Sequence, residues 1–101
     1  MFTHLHLHTE YSLLDATIRI SDLIEKLKES GMKSCAITDH GSMYGAFKFQ
    51  NAMKAEGLKP IIGCEIYVAP RTMADKEHGI DNNYFHLVLL AKNLKGYKNL
   101  I

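Results

Sequence analysis

The chain has 101 residues, which suits one small domain and is too short for two. Hydrophobic residues make up 47% and charged residues 23%, as in soluble globular proteins, and the net charge of +1 argues against a strongly basic nucleic-acid-binding surface. No apolar run approaches the ~20 residues of a membrane span, and the N-terminus does not resemble a signal peptide. Cys35 and Cys64 are too few for a disulfide scaffold and indicate a reducing, cytoplasmic location.

The first predicted element is a strand over Thr3–His8, where leucine and histidine alternate. A loop over Glu10–Arg19 follows. The next segment predicts a helix over about Asp22–Ser30, with Ser21 as N-cap and Gly31 just past its end. Its apolar residues recur at the spacing of a buried helical stripe: Ile20, Leu23, Ile24 and Leu27.

A second strand is predicted over Ser34–Thr38, a short apolar run typical of a strand buried on both faces. The second helix is predicted over about Met43–Glu56, between an N-cap at Ser42 and Gly57. Its inner stripe comprises Ala46, Phe49 and Met53. A third strand is predicted over Pro60–Ala69.

A polar loop, Pro70–Tyr84, separates this strand from a fourth, Phe85–Ala91, and a third helix begins at Leu94. Alternating strands and helices predict an α/β fold of βαβ units with about four strands and two to three helices. An α/β barrel needs roughly twice this length. We therefore expect residues 1–101 to be an incomplete, truncated barrel whose open sheet edge allows self-association.

The histidines of the first strand are the first candidate site. Residues two apart in a strand face the same side, so His6 and His8 could share one cation such as zinc, iron, manganese or nickel. The alternative is a polar, solvent-facing side of an edge strand. Asp39 and His40 follow a buried strand, where α/β folds carry active-site residues, and their alternative is an ordinary turn.

Glu65 lies in an apolar strand, where a carboxylate is costly unless it is paired or binds a metal. His86 begins a strand, so it would reach the same edge only if that strand returned antiparallel. Asp15 is a further loop candidate, with a simple ion pair to Arg19 as its alternative. Cys64 points to the other face and is expected in the core. This His/Asp/Glu set suits two or three cations, the usual device for hydrolysing phosphate esters.

The motifs H-x-H, T-D-H-G and G-x-E resemble the polymerase and histidinol phosphatase (PHP) superfamily. Within it, residues 4–15, 36–41, 59–68, 86–93 and 96–100 are similar to the start of the alpha subunits of bacterial replicative DNA polymerases, the C family. The resemblance covers nearly the whole chain. It implies a distorted seven-stranded βα barrel of the PHP type.

The resemblance also implies a site for up to three divalent metal ions, with zinc expected first and manganese or iron as alternatives. The matched ligand positions are His6, His8, Asp15, His40, Glu65 and His86. Glu65 would bridge two metals, and Glu65, His8 and Asp39 are the predicted catalytic residues, with Asp39 orienting a ligand. Ala16 departs from the glycine usual in the family. Further ligands, including a late Asp-x-His pair, are expected beyond Ile101, so the isolated piece is expected to be inactive.

The function implied is DNA replication: a nucleotidyltransferase whose intact PHP domain is a metal-dependent 3′–5′ exonuclease. The implied partners are DNA, reached through the polymerase, and other replisome subunits, with no membrane. One alternative is a non-catalytic scaffold stabilised by metals. Another is a free-standing PHP phosphoesterase that acts on small monoesters.

Overall fold

The computed structural model describes all 101 residues as three helices and a three-stranded sheet. In chain order the elements are α1 (Ile20–Glu29), β1 (Ser34–Ile37), α2 (Ala46–Ala55), β2 (Lys59–Val68), β3 (Phe85–Leu90) and α3 (Leu94–Leu100). This arrangement confirms the α/β class, and the three strands form an open sheet without closing a barrel. None of the helices has the length and apolar character needed to cross a membrane.

The sheet has β2 at its centre, with β1 parallel on one side and β3 antiparallel on the other. Ile37 lies opposite Ile62, and Tyr67 lies opposite His86. The antiparallel return predicted for the His86 strand is therefore confirmed. It brings the start of β3 to the edge of the sheet where β1 and β2 end.

The hydrophobic core lies between β1 and the two longer helices. The predicted stripe of α1 is buried, as is the inner face of α2. The core cluster comprises Ile20, Leu23, Ile24, Leu27, Cys35, Ile37, Phe49 and Met53. Burying each large apolar side chain contributes about 1.5–3 kcal/mol. The two helices thus pack against β1, and polar residues follow at the carboxyl end of this strand.

The strand predicted over Thr3–His8 is wrong, because only His4 forms a bridge, with Cys35. The Leu7 N–H donates to the Thr38 hydroxyl at 2.8 Å, and the Leu7 carbonyl accepts from the Thr38 N–H at 2.8 Å. The Thr38 hydroxyl thus accepts a hydrogen bond that a backbone carbonyl would accept in a regular β-ladder. The N-terminal segment is bent and is docked beside β1 at separate points.

The predicted helix starts are also wrong, since neither Ser21 nor Ser42 is an N-cap. Helix α1 begins one residue before Ser21, with Arg19 as its N-cap. Helix α2 begins after Gly45, which packs so tightly under the Tyr11 ring that an added Cβ would stand 2.8 Å from it. The packing of this turn delays the start of α2 beyond the residue that local sequence favours.

Gly63 offers a test of the packing between β2 and β3. A Cβ added at Gly63 would overlap the Leu89 carbonyl oxygen and would stand 2.8 Å from the Leu90 side chain. Gly63→Ala is expected to lower the free energy of unfolding by about 1–3 kcal/mol through overpacking. Urea denaturation followed by circular dichroism measures this loss.

Gly96→Ala is the matched control, because a Cβ at Gly96 in α3 would lie 3.5 Å from Ala91, an ordinary contact. Alanine is favoured over glycine in a helix, so this variant is expected to gain about 0.5–1 kcal/mol. Equal effects of the two substitutions would contradict the close approach at Gly63.

Candidate metal centre

Glu65 lies at the centre of the candidate site, near the carboxyl end of β2, and is only 5% exposed. The chain that follows β1 fixes its backbone. The Glu65 N–H donates to the Asp39 carbonyl at 3.0 Å, and its carbonyl accepts from the Gly41 N–H at 2.9 Å. His40 forms a parallel bridge with Glu65 between these two bonds. The backbone therefore places His40 directly beside the carboxylate.

Four imidazole rings surround the Glu65 carboxylate. The nearest nitrogen is His8 Nε2, which lies 2.5 Å from Oε2. The others lie within 4 Å of a carboxylate oxygen: His40 Nδ1 at 3.1 Å, His6 Nε2 at 3.3 Å and His86 Nδ1 at 3.7 Å. The structure thus brings together five of the six residues predicted as metal ligands.

The groups around Glu65 lower the pKa of its carboxyl group. Burial alone raises its pKa, but hydrogen bonds with His6 and His8 and the nearby charge of His40 outweigh burial and lower the pKa below its usual range. An ionised carboxylate that is buried needs compensating cations. The surrounding groups therefore favour a charged ligand oxygen at this position.

The five side chains form two groups that share Glu65: His6, His8 and Glu65, and His40, Glu65 and His86. Within each group the potential ligand atoms all lie within 4.8 Å of one another. His40 Nδ1 is buried and, although close to Glu65, lacks a hydrogen bond of suitable geometry. Imidazole and carboxylate donors with such an unpartnered nitrogen fit divalent transition metals, and a carboxylate has the two oxygens needed to serve both groups.

Each histidine reaches the centre for a separate structural reason. His6 and His8 flank Leu7, whose backbone bonds to Thr38 hold the N-terminal segment beside the end of β1. His86 lies on β3 opposite Tyr67, two residues beyond Glu65 on the same face of β2. The site therefore depends on the antiparallel pairing of β2 and β3.

Asp39 does not face the metal groups, because its carboxylate is used by the loop that follows His8. It accepts hydrogen bonds from the Thr9 N–H at 2.6 Å, the Thr9 hydroxyl at 2.9 Å and the Ser12 hydroxyl at 2.9 Å. Ser12 in turn accepts a bond from the His40 N–H at 3.0 Å. This network thus connects Asp39 to the loop after His8 and, through Ser12, to the backbone of His40.

Sequence reasoning missed Thr9 and Ser12, which are fully or almost fully buried. The signal that could have found them is a pair of hydroxyl residues just after H-x-H, in a chain with a buried aspartate to bond.

The structure leaves Asp15 exposed and outside both metal groups, so its role as a ligand stays a prediction. Cys64 is buried, as predicted, and burial raises the pKa of its thiol.

Comparison with known proteins gives a family and a set of relatives. The PHP domain model matches residues 4–101. DNA polymerase III subunit alpha of Treponema pallidum is 50% identical over 99% of this chain and 9% of its own length. The same subunit of Helicobacter pylori strain J99 is 54% identical over 99% of the chain and 8% of its length. The chain spans less than a tenth of these curated relatives.

A solved structure agrees on the fold. It belongs to a protein of Bifidobacterium adolescentis assigned as a metal-dependent phosphoesterase, with a TM-score of 0.66 and 20% identity. The match covers 97% of this chain and 32% of that protein, and at this identity it bears on the fold alone. Because the family model spans nearly every residue and includes all five clustered side chains, the chain belongs to the PHP domain family.

Proposed function

We propose that the chain is the N-terminal part of a replicative DNA polymerase alpha subunit, and that its PHP domain hydrolyses phosphodiester bonds at a DNA 3′ end. The single observation that carries the hydrolytic part is the buried Glu65 carboxyl group surrounded by four imidazole rings. The identity to alpha subunits over 99% of the chain supports the polymerase part. Its partners would then be DNA and other replisome subunits.

The residues present would hold two divalent metal ions, one in each of the groups that share Glu65. When bound, such ions stabilise the charge that develops on phosphoryl oxygens and bring water to reactivity near neutral pH. Zinc is our first assignment, since mixed imidazole and carboxylate ligands suit it, and manganese and iron are the alternatives. A third ion would need Asp15 and residues outside this chain.

The protein side chains would act by holding these groups in place. Glu65 would contribute its carboxylate to both ions, because it belongs to both groups. His8 and His40 would each contribute an imidazole, one to each group. Asp39 would fix the loop after His8 through Thr9 and Ser12, so that His8 is held beside the centre before an ion binds. Such preorganisation lowers the cost of binding.

One observation favours a second function, in which bound metal serves as a structural cross-link. The ligands come from the N-terminal segment, the turn after β1, and strands β2 and β3. The N-terminal segment has no regular ladder to the sheet. A metal shared by these segments would hold them together and raise stability even without hydrolysis.

The two-group arrangement predicts the metal stoichiometry of variants. Glu65→Gln should remove both ions, because both groups lose a charged ligand oxygen, whereas His6→Ala should remove only the ion held with His8. Metal analysis of protein purified without chelator measures both losses. His78→Ala in the exposed loop is the matched control and should keep the full content. Equal loss in Glu65→Gln and His6→Ala would contradict two separable groups.

The Asp39 network predicts coupled effects on stability and metal affinity. Asp39→Ala leaves three donors without their acceptor, so we expect the free energy of unfolding to fall by about 3 kcal/mol. Metal affinity should fall roughly 10–100-fold, as measured by chelator competition. Asp75→Ala, in an exposed turn, should change stability by less than about 0.5 kcal/mol. Unchanged metal affinity in Asp39→Ala would show that the network does not position the ligands.

Hydrolysis is tested with the full natural chain, loaded with zinc or manganese and given a single-stranded oligonucleotide labelled at its 3′ end. We expect release of the terminal nucleotide, and Glu65→Gln should slow it by roughly 100-fold or more. His78→Ala should release it at the normal rate. Retained DNA synthesis by Glu65→Gln would show that the variant is folded.

The same experiment separates the two functions. Metal that is bound at full stoichiometry without any release of nucleotide would reject the hydrolytic function. If chelation then lowers the melting temperature, the metal acts as a structural cross-link.

A further inference from the structure

Two exposed tyrosines lie on the same face as the metal centre and are not used by the proposed chemistry. Tyr67 is 49% exposed and lies two residues beyond Glu65 on β2. Tyr84 is 59% exposed and directly precedes β3. Their rings meet edge to face, with centroids 4.9 Å apart. Adjoining aromatic rings that remain half exposed offer surface on which a flat ligand can stack.

These tyrosines are continuous with the metal centre through His86. The His86 ring lies 5.3 Å from the Tyr67 ring and 5.6 Å from the Tyr84 ring, measured between centroids. On its other side it lies 5.4 Å from the His40 ring. The row of aromatic rings thus runs directly from the proposed ligands to the open surface.

The Tyr67 ring packs against the turn at Gly41, and an ion pair closes the loop that leads to Tyr84. Gly41 has a φ of 58°, and a Cβ there would stand 2.8 Å from the Tyr67 ring, so the missing side chain allows the ring to lie against this turn. The loop before Tyr84 is closed by Arg71, which donates two hydrogen bonds to Asp81 at 2.9 and 2.5 Å. A ring fixed before binding loses little entropy when a ligand stacks on it.

We propose that Tyr67 and Tyr84 form a stacking platform for the terminal base of a single-stranded nucleic acid whose last phosphodiester lies at the metal centre. The inference rests on the proposed phosphodiester hydrolysis and names its substrate class: an unpaired, base-bearing 3′ end. Nucleobases stack on aromatic side chains with little sequence preference, because every base has a flat face. A paired end keeps its terminal base stacked in the duplex, so the platform would favour frayed or mispaired ends.

The test compares two single-stranded oligonucleotides that differ only at the 3′ terminus, one with a base and one with an abasic sugar. In the full natural chain, loaded with manganese, kcat/KM should favour the base-bearing end by about tenfold. The double variant Tyr67→Leu, Tyr84→Leu should bring this ratio close to one. Tyr67→Phe with Tyr84→Phe keeps both rings and should retain the preference. Tyr44→Leu, at an exposed tyrosine outside the platform, is a second control.

A second readout needs no turnover. An oligonucleotide with 2-aminopurine at its 3′ end and a phosphorothioate last linkage should lose fluorescence when its base stacks on the wild-type protein, and much less on the double leucine variant. The metal content of both proteins must be equal, which shows that the variant has an intact centre. Equal quenching by the two proteins, or an unchanged ratio of kcat/KM, would overturn the platform.

The same measurements distinguish failure of the proposed hydrolysis from failure of the stacking platform. If wild-type protein hydrolyses neither oligonucleotide, the hydrolytic proposal fails, and the quenching experiment alone decides the platform. If it hydrolyses both at equal rates, hydrolysis stands and the platform is rejected.

Discussion

A buried carboxylate raises the free energy of a folded protein unless neighbouring groups compensate its charge, and this constraint on Glu65 organises the candidate metal centre. Its four histidine neighbours come from three separate parts of the chain, yet all lie within 4 Å of its oxygens. The parallel pairing of β1 and β2 supplies His40, and the antiparallel return of β3 supplies His86. The mixed sheet is thus the topology that brings ligands from both neighbours to one residue of the central strand.

Much of the fold could be predicted from the sequence where the signal was local and repeated. The stripe from Ile20 to Leu27 identified α1, and Gly31 marked its end, because helical spacing and positive φ act within a few residues. The sequence also predicted that the histidines and Glu65 lie together, because most of them stand at the ends of predicted strands. The alternation in Thr3–His8 misled, since it cannot reveal that Thr38 offers a side-chain oxygen where a strand would need a carbonyl. Similarly, Ser42 has the chemistry of an N-cap, but the packing of Gly45 under Tyr11 decides where α2 starts.

The sequence predicted which residues form the candidate site but not which hydrogen bonds each of them makes. The sequence predicted that Asp39 orients a ligand but could not name its partners, which the structure shows to be Thr9 and Ser12. This bonding depends on residues about 30 positions away in the chain, beyond the range of any local pattern. Asp15 is the opposite case. The resemblance matched it as a metal ligand, but in the structure it is exposed and belongs to neither metal group.

The distance along the chain between His8 and Glu65, 57 residues, has a consequence for synthesis on the ribosome. The chain emerges N-terminus first, so the histidine segment leaves the exit tunnel well before its carboxylate partner exists. Asp39 emerges earlier and can capture Thr9 first, across 30 residues. A shorter loop closes at lower entropic cost, so this capture would tether the N-terminal segment while β2 and β3 are still being made. The aspartate would then anchor the N-terminal segment during biogenesis, before any metal can be bound, through bonds that the folded protein keeps.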